Sequence, residues 1–219
     1  MGGERSPRGP GEPLRMSPGR LEAFSDGVFA IAITLLVLDL HVPVPSETTN
    51  LATALGHEWP SYVAYGVSFL TIGIIWINHH AMMRRIKAVD HEILVLNLLL
   101  LLCVGLLPFT TALMAAYLTE SQGEALAAGI YAGSFLLMSV VFAGLNRTIL
   151  FRKPDLLAEP LDPEVKRTVI TRGVAGLVPY LAATILAVVS PYLSLAICAA
   201  VAIFYALPLA SSEGRSAPT

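Results

Sequence analysis

Long apolar runs, separated by short polar segments, recur along the whole chain. Their length and the lack of strict alternation are typical of helices rather than strands. The pattern predicts six helices, near residues 20–40, 60–80, 92–118, 125–151, 168–190 and 192–210. Ser190 and Pro191 form a predicted turn between the last two. We therefore expect an all-α protein with one six-helix domain at residues 20–210 and no internal repeat.

The two ends of the chain differ from this pattern. Residues 1–19 are rich in Gly, Pro, Ser and Arg, and they and residues 211–219 are expected to be disordered tails. The first helix is not expected to be a cleaved signal peptide, because its apolar run starts late and no small-residue cleavage site follows it.

Composition changes the picture from a helical protein to a membrane protein. The 219 residues are 55% hydrophobic and 14% charged, with a mean hydropathy of +0.68, whereas about a quarter of the residues of soluble domains are charged. The net charge of −2 argues against a nucleic-acid partner. Cys103 and Cys198 both lie inside apolar runs, so we interpret them as buried small hydrophobes without a disulfide or metal site.

Charge also predicts the orientation of the helices. All 14 Lys and Arg residues fall in segments at one end of the predicted bundle: Arg5, Arg8, Arg15, Arg20, Arg84, Arg85, Lys87, Arg147, Arg152, Lys153, Lys166, Arg167, Arg172 and Arg215. The loops at the other end hold Glu47, Glu58, Glu120 and Glu124. The positive-inside rule then predicts a multi-pass protein of the cell membrane with both termini in the cytoplasm. This asymmetry concerns insertion and says nothing about a substrate.

The first helix is the most unusual of the six. Its run from residue 27 to residue 38 is apolar apart from Thr34 and is bounded by Asp26 and Asp39. Such a run is only about 18 Å long as a helix, whereas a hydrocarbon core of about 30 Å requires roughly 20 apolar residues. A lipid-facing helix would not place a carboxylate at each end of so short a run, but a helix that contacts protein and water could. The first helix is therefore a candidate lining element of a pathway.

Helical periodicity divides the first helix into two sides. Four residues fall on one narrow face: Ile31, Thr34, Leu35 and Leu38. Phe24 and Gly27 extend this face, whereas Asp26 points more than a quarter-turn away from it. Ordinary helix packing is an alternative explanation for the apolar face. For Asp26, the alternatives are a structural ion pair or helix cap and a direct role in transport.

The second helix ends in a polar and aromatic group: Trp76, Asn78, His79 and His80. It runs antiparallel to the first helix, so this group lies at the depth of Asp26. Asn78 or a histidine is the expected partner of the carboxylate, because an unpaired charge at membrane depth is costly. Trp76 has an alternative role as an interfacial anchor. The two adjacent histidines are poorly placed to share one ion, so no metal site is expected.

Several common functional motifs are absent. The chain contains no G-x-x-x-x-G-K-[ST], H-E-x-x-H, G-x-S-x-G or T-V-G-Y-G sequence. A third class, a membrane enzyme or scaffold, is not supported, because the sequence shows no constellation of catalytic groups. Two classes remain: a passive cation channel, and a secondary transporter or proton-conducting protein that uses Asp26 and the histidines. Pro108 and Pro179 are single kinks at most, which argues against the broken helix pair of a transporter.

The motif Arg20-x-x-x-Phe24-Ser25-Asp26, with Trp76-x-Asn78-His79-His80 and the six-span topology, resembles the endosomal and lysosomal potassium channel family, transmembrane protein 175. The chain is similar to its prokaryotic branch. The resemblance implies a homotetramer in membrane lipid, with the first helices around a central pore. It implies that potassium ions pass in preference to sodium without a carbonyl filter, and that no cofactor is needed.

The resemblance also implies a role for each motif residue. Ile31 would form the narrowest constriction, Leu35 and Leu38 further apolar layers, and Thr34 a hydroxyl ring linked to selectivity. A network behind the pore would contain Arg20, Phe24, Ser25, Asp26, Trp76, Asn78, His79 and His80. Apolar rings of this kind gate by dewetting. Asp39, near the outer mouth, would concentrate cations or would simply be a solvated helix end.

Overall fold

The structure, a computed structural model, describes residues 17–44 and 50–212. This part of the chain is helical: α1 (Pro18–Leu35), α2 (Leu51–His57), α3 (Trp59–Met83), α4 (His91–Tyr117), α5 (Glu124–Arg147), α6 (Pro163–Ala175), α7 (Leu177–Leu186) and α8 (Pro191–Ser212). A 3₁₀ turn (Leu36–Asp39) extends α1, and a π turn (Thr148–Arg152) extends α5. The predicted disordered tails fall outside the described residues, apart from 17–19 and 211–212, where α1 and α8 already begin and end.

Each predicted helix has a counterpart in the structure. The fifth differs locally: it begins at Pro163 rather than residue 168, and a turn at Gly176 divides it into α6 and α7. Pro179 has no N–H to donate to the carbonyl of Ala175, so the helix cannot continue regularly through this point. The short helix α2 was not predicted. It begins where Asn50 Oδ1 accepts the backbone N–H groups of Ala52 and Thr53, at 2.9 and 3.4 Å.

Five stretches among the described residues are long and apolar enough to cross a membrane: Pro18–Asp39, Trp59–Met83, His91–Tyr117, Glu124–Arg152 and Pro163–Leu186. The final helix α8 is apolar over the shorter stretch Pro191–Leu207. Length and composition thus support five of the six predicted spans, and the sixth stays a prediction.

The helices pack so that α1 lies at one side of the bundle. It contacts α3 and α4, whereas α5, α7 and α8 form the other side. The core between them is built from large, fully buried side chains, including Tyr131 and Phe135 of α5, Leu100 and Leu107 of α4, and Ile72 of α3. One face of α1 packs on this core, and its opposite face is left open.

A group of buried hydroxyls connects three helices at the centre of the bundle. Ser68 Oγ lies 2.7 Å from Thr111 Oγ1 and 3.0 Å from the Tyr131 hydroxyl. Each of these hydroxyls needs a partner, because an unsatisfied polar group in an apolar interior is costly. The contacts therefore fix the relative register of α3, α4 and α5.

The segments that carry most of the basic residues are also joined to one another, at what we call the basic end. Ile86 and Leu157 form an antiparallel bridge. Around it, the N–H of Lys87 donates to the carbonyl of Leu156 over 2.9 Å, and that of Ala158 donates to the carbonyl of Arg85 over 2.8 Å. The α3–α4 connection and the segment after α5 are thus held together.

Ion pairs reinforce the basic end. Asp90 caps α4 by accepting the N–H of Ile93 over 3.0 Å, and it also pairs with Lys153. Partial burial raises the pKa of Asp90, but the hydrogen bonds from Lys153 and Ile93 outweigh this effect and leave the pKa below its usual value. The same carboxylate, with Glu92, raises the pKa of Lys153. Arg152 pairs with Glu92.

Candidate functional site

The helix α1 and its 3₁₀ extension present two different faces. One face is buried within the subunit and consists of Leu21, Ser25, Phe29, Ala32 and Leu36. The other is exposed and includes Phe24, Gly27, Ile31, Thr34, Leu35 and Leu38. The side chain of Ile31 is 61% exposed and that of Leu38 is 73% exposed. The four residues that periodicity grouped together are therefore all on the open side, and this side is apolar except for Thr34.

Thr34 satisfies its hydroxyl proton within its own helix. Its Oγ1 donates toward the carbonyl oxygens of Ala30 and Ile31, at 3.0 and 2.9 Å. A hydroxyl has one proton but two acceptor lone pairs. Because the proton is directed to the backbone, the oxygen keeps its acceptor capacity for a group on the exposed side, between the apolar side chains of Ile31 and Leu38.

Behind this face, Asp26 has a partner that differs from the two expected. The indole Nε1–H of Trp76 donates to Asp26 Oδ1 over 2.9 Å. Asn78 instead donates back to the carbonyl of Ile74 over 2.8 Å. The reason is geometric, because Asn78 lies about 200° around α3 from Trp76 and so faces away from α1. Trp76 therefore does more than anchor the helix at an interface.

A second contact between α1 and α3 lies one helical turn away from the Asp26–Trp76 hydrogen bond. His80 Nδ1 is 2.8 Å from Glu22 Oε1, and these residues are four positions from Trp76 and Asp26. Because α1 and α3 are antiparallel, the two contacts stack along the same helix pair. Glu22 was not among the predicted site residues, although its spacing from Asp26 puts both carboxylates on one side of α1.

The third contact is a buried chain of hydrogen bonds. Asn97 Nδ2 donates to Ser25 Oγ over 3.0 Å, Ser25 Oγ donates to the carbonyl of Leu21 over 2.8 Å, and Asn97 Oδ1 lies 2.7 Å from His79 Nε2. Since the amide oxygen can only accept, Nε2 of His79 carries the proton. The other ring nitrogen, Nδ1, is buried without a hydrogen-bond partner among the described residues. The chain joins α1, α3 and α4.

Asn97, too, was not among the predicted site residues. It is the only amide in the long apolar run of α4, and it is fully buried. A lone amide at membrane depth is itself a signal, because such a group requires a partner. The antiparallel arrangement of α3 and α4 then leaves the end of α3 as the nearest source of one.

The structure thus brings together part of the predicted network. Five of its residues lie at the α1–α3–α4 contact: Ser25, Asp26, Trp76, His79 and His80. Three do not: Phe24 is 55% exposed on the open face, Asn78 faces away, and Arg20 is exposed without a side-chain partner in the described part of the chain.

The opposite end of α1 is also polar. Asp39, half-buried at the end of the 3₁₀ turn, borders a cavity of about 350 Å³ together with His41, His57 and Glu58. Over residues 17–44 and 50–212, no group of three or more His, Cys, Asp or Glu side chains is arranged to hold a metal ion. Cys103 and Cys198 are buried free thiols.

Comparison with known proteins identifies relatives over most of the chain. A sequence model of the family described as endosomal/lysosomal potassium channel TMEM175 matches residues 20–108. A potassium channel of Streptomyces collinus is 43% identical over 187 residues, which are 85% of this chain and 90% of the relative.

The comparison also extends to a solved structure and to animals. The crystal structure of a lysosomal potassium-selective channel TMEM175 homolog from Chamaesiphon minutus superposes with a TM-score of 0.77 at 39% identity, covering 87% of this chain and 97% of that one. The endosomal/lysosomal proton channel TMEM175 of Homo sapiens is 33% identical over 162 residues, which are 70% of this chain but only 31% of the human protein.

Proposed function

The chain belongs to the TMEM175 family of endosomal/lysosomal potassium channels, and on this premise we propose that it is a cell-membrane channel that passes potassium in preference to sodium. The proposed assembly is a homotetramer in which four copies of α1 surround one pore. Each subunit has six spans, of which α8 is the sixth, and both termini are cytoplasmic. The name of the S. collinus relative and the similarity over most of both chains support the choice of ion.

The observation that carries the proposal is the open face of α1. This face must be covered by lipid or by another copy of the chain, because it is almost entirely apolar. Although Pro18–Asp39 as a whole is long enough to span a membrane, lipid is the poorer cover, since the uncharged run between Asp26 and Asp39 is shorter than the hydrocarbon core. Four copies of α1 that face one another would leave both carboxylates near protein and water.

In such a pore, the exposed side chains would form successive rings. Ile31 is the proposed constriction, and Leu35 and Leu38 add apolar layers toward the outer end. An ion cannot shed its water cheaply in an apolar ring, so a narrow ring excludes water and ions together, and a slightly wider one conducts. These rings would therefore serve as both constriction and gate.

Thr34 is the proposed source of selectivity. Four hydroxyl oxygens between apolar layers could replace part of the hydration shell of a passing ion. Potassium is the more weakly hydrated of the two alkali ions, so partial replacement favours it over sodium. The direction of the Thr34 proton, toward its own backbone, is compatible with this role because it leaves the oxygen lone pairs for an ion, and the same bonds also fit the alternative in which the hydroxyl serves only its own helix.

The contacts among α1, α3 and α4 have a positioning role in this proposal. Asp26–Trp76, Glu22–His80 and the chain through Asn97 all attach to the side of α1 that faces its own subunit. They would hold the angle and depth of α1, and hence the width of the rings, without contacting an ion. Asp39 would raise the cation concentration at the outer mouth.

Proton conduction, alone or coupled to transport, is a second candidate function. It is favoured by the name of the human relative, a proton channel, and by the buried hydrogen-bond chain through His79 and Asn97. This series of hydrogen bonds ends at the backbone carbonyl of Leu21 on one side and, on the other, at His79 Nδ1, which has no hydrogen-bond partner among the described residues. This arrangement suits a structural connection better than a continuous proton path.

Reconstitution of the purified protein would separate these functions. We expect resolvable unitary currents in planar bilayers and a reversal potential that favours potassium over sodium. A carrier would give slow, saturable flux without unitary currents, and a proton pathway would acidify dye-loaded liposomes without a potassium current. Mass measurement of the detergent complex should give four subunits, and a monomer would contradict the central pore.

A further inference from the structure

A cavity of about 510 Å³ lies at the basic end, between the π turn after α5 and the first turns of α6. Its lining combines apolar side chains with two cations: Phe151, Pro163, Lys166, Arg167, Ile170 and Thr171. None of these residues belongs to the contacts around α1, so the cavity has no part in the proposed pore.

The position of the cavity along the helix axis puts it at the membrane interface. The stretch Pro163–Leu186, which is α6 and α7 with the turn at Gly176 between them, contains 24 residues, or up to about 36 Å of helix. A hydrocarbon core of about 30 Å cannot cover this length unless the stretch tilts strongly. The apolar part of the stretch lies toward Leu186, so the excess falls at the first turns of α6, where Lys166 and Arg167 lie. These two side chains therefore reach the headgroup layer.

The two cations that line the cavity are not held in ion pairs. Arg152 and Lys153, which are close in sequence to Phe151, pair with Glu92 and Asp90. By contrast, Lys166 and Arg167 form no ion pair with any residue in the ranges that the structure describes. The lining thus presents two cations and no acid, although Asp162 and Glu164 lie in the same first turn of α6.

The cavity also faces away from α1. The helix α1 packs on α3 and α4, whereas α6 packs against α5 and α7. If α1 faces other copies of the chain, the side of the subunit that carries α6 faces lipid. The cavity is then open to a molecule that diffuses in the membrane.

We propose that this cavity binds an anionic phospholipid of the leaflet at the basic end, which is the cytoplasmic leaflet in the predicted orientation. Lys166 and Arg167 hold the phosphate by charge-assisted hydrogen bonds, and the Thr171 hydroxyl provides one further donor. Phe151, which is 54% exposed, and Ile170 contact the upper part of an acyl chain. The combination of two free cations with an apolar wall fits an anionic diacyl lipid better than a free phosphate.

The test is lipid binding to the purified protein, measured by native mass spectrometry with phosphatidylglycerol and phosphatidylcholine of the same acyl chains. The double variant Lys166→Gln/Arg167→Gln should bind phosphatidylglycerol about 30-fold more weakly, as expected for the loss of two basic side chains near an anionic surface. The matched control is Arg84→Gln/Lys87→Gln, which removes the same charges from exposed positions at the same end but outside the cavity. This control variant should bind phosphatidylglycerol nearly as tightly as the unmodified protein does.

Three outcomes would overturn the proposal: equal binding of the two lipids by the unmodified protein, equal loss in the control variant, and displacement of the lipid by inorganic phosphate at a similar concentration. The last would indicate a general anion site. Size-exclusion profiles check folding, and the single variants replace the double variant if it misfolds. Binding requires no current, so a protein that binds the lipid but does not conduct contradicts the channel proposal and leaves this one standing.

Discussion

Trp76 donates its indole N–H to a carboxylate oxygen of Asp26 over 2.9 Å, from α3 to α1. The contact gives the carboxylate a neutral donor and directs it toward its own subunit, away from the open face that carries Ile31. A charge at this depth is costly without such a partner. The pair therefore connects the motif of the first helix to that of the second through one hydrogen bond.

Removal of this donor should destabilise the fold. Trp76→Phe leaves the Asp26 carboxylate without its partner, and we expect a loss of about 1–3 kcal/mol in unfolding free energy. Asp26→Asn keeps an acceptor oxygen for the indole but loses the charge, and because Asp26 is directed away from the open face, this variant should lower the yield of folded tetramer more than it changes ion preference. Thermal unfolding in detergent measures the first variant, and size-exclusion yield of the tetramer together with reversal potentials measures the second. Trp59→Phe is the control, because Trp59 stacks on Tyr192 at 6.2 Å and its indole N–H has no hydrogen-bond partner among the described residues. A stable Asp26→Asn tetramer with altered selectivity would put Asp26 in the ion path.

The buried chain through Asn97 should show a graded response. Asn97→Ala removes a partner from both His79 and Ser25, and we expect it to cost about 2–3 kcal/mol. Ser25→Ala leaves only the Asn97 amide N–H unpaired and should cost about 1 kcal/mol, at the low end of the range for a buried donor. Ser134→Ala, at a half-buried hydroxyl of α5 outside this chain, serves as a control for the loss of a hydroxyl. Equal effects of the first two variants on the unfolding midpoint would contradict the hydrogen-bond chain.

The proposed constriction can be tested with a pair of equally exposed isoleucines. Ile31→Asn should make the pore wetter and raise the unitary conductance, and Ile31→Met should leave it equal or lower. The control is Ile185→Asn on α7, since Ile185 and Ile31 are both 61% exposed. Planar bilayer recordings compare the three. If both Ile31 variants conduct like the unmodified protein, the residue serves packing only.

Thr34 should determine much of the preference for potassium. Thr34→Val keeps the shape of the side chain and removes its oxygen, so we expect a folded, conducting channel in which the permeability ratio of potassium to sodium falls toward one. Thr34→Ser retains the hydroxyl and is the matched control. Reversal potentials under mixed gradients give the ratio. Unchanged selectivity in Thr34→Val would assign the hydroxyl to its own helix and selectivity to the apolar rings.

The basic end should have its own pH dependence. Because the pKa of Asp90 is lowered in the folded protein, its contribution to stability is complete above about pH 4, the usual range of an unfolded aspartate, and is lost as the pH falls through the lower folded-state pKa. Asp90→Asn should therefore lower the unfolding midpoint at pH 7 and flatten its acid dependence. The control Asp155→Asn removes an exposed carboxylate nearby. An identical acid profile in both variants would contradict the assignment.

The main helices and the open face of α1 could be predicted because both follow from periodicity. Ile31 and Leu38 lie seven positions apart, or close to two turns, so any regular helix brings them to one side. The helix α2 could not be found in this way, since its seven residues are too few to display a period. Its signal is the capping residue Asn50 alone.

The partners behind the face were harder to predict, because they depend on how helices rotate against one another. Sequence places Asp26 and the end of α3 at one depth but does not state which side chain of α3 turns toward α1. Trp76 and Asn78 both lie at the end of α3, at the depth of Asp26. Only the rotation of α3 against α1 determines that Trp76, and not Asn78, is the residue that bonds to Asp26. Asn97 is separated from His79 by a loop and lies in an apolar part of α4. The hydrogen bond between these two residues could therefore be identified only from the packing of α3 against α4.

The end of α1 has a mechanical consequence of its own. Over Leu36–Asp39 the helix is wound as 3₁₀, with about 2.0 Å of rise and 120° per residue instead of about 1.5 Å and 100°. Leu35 and Leu38 are therefore stacked in line along the axis rather than offset. Rewinding of this one turn to the α form would rotate Leu38 by about 60° and draw Asp39 inward by about 2 Å. A change in the winding of this terminal turn would therefore couple two movements: the axial position of the Asp39 carboxylate and the direction of the Leu38 side chain would change together.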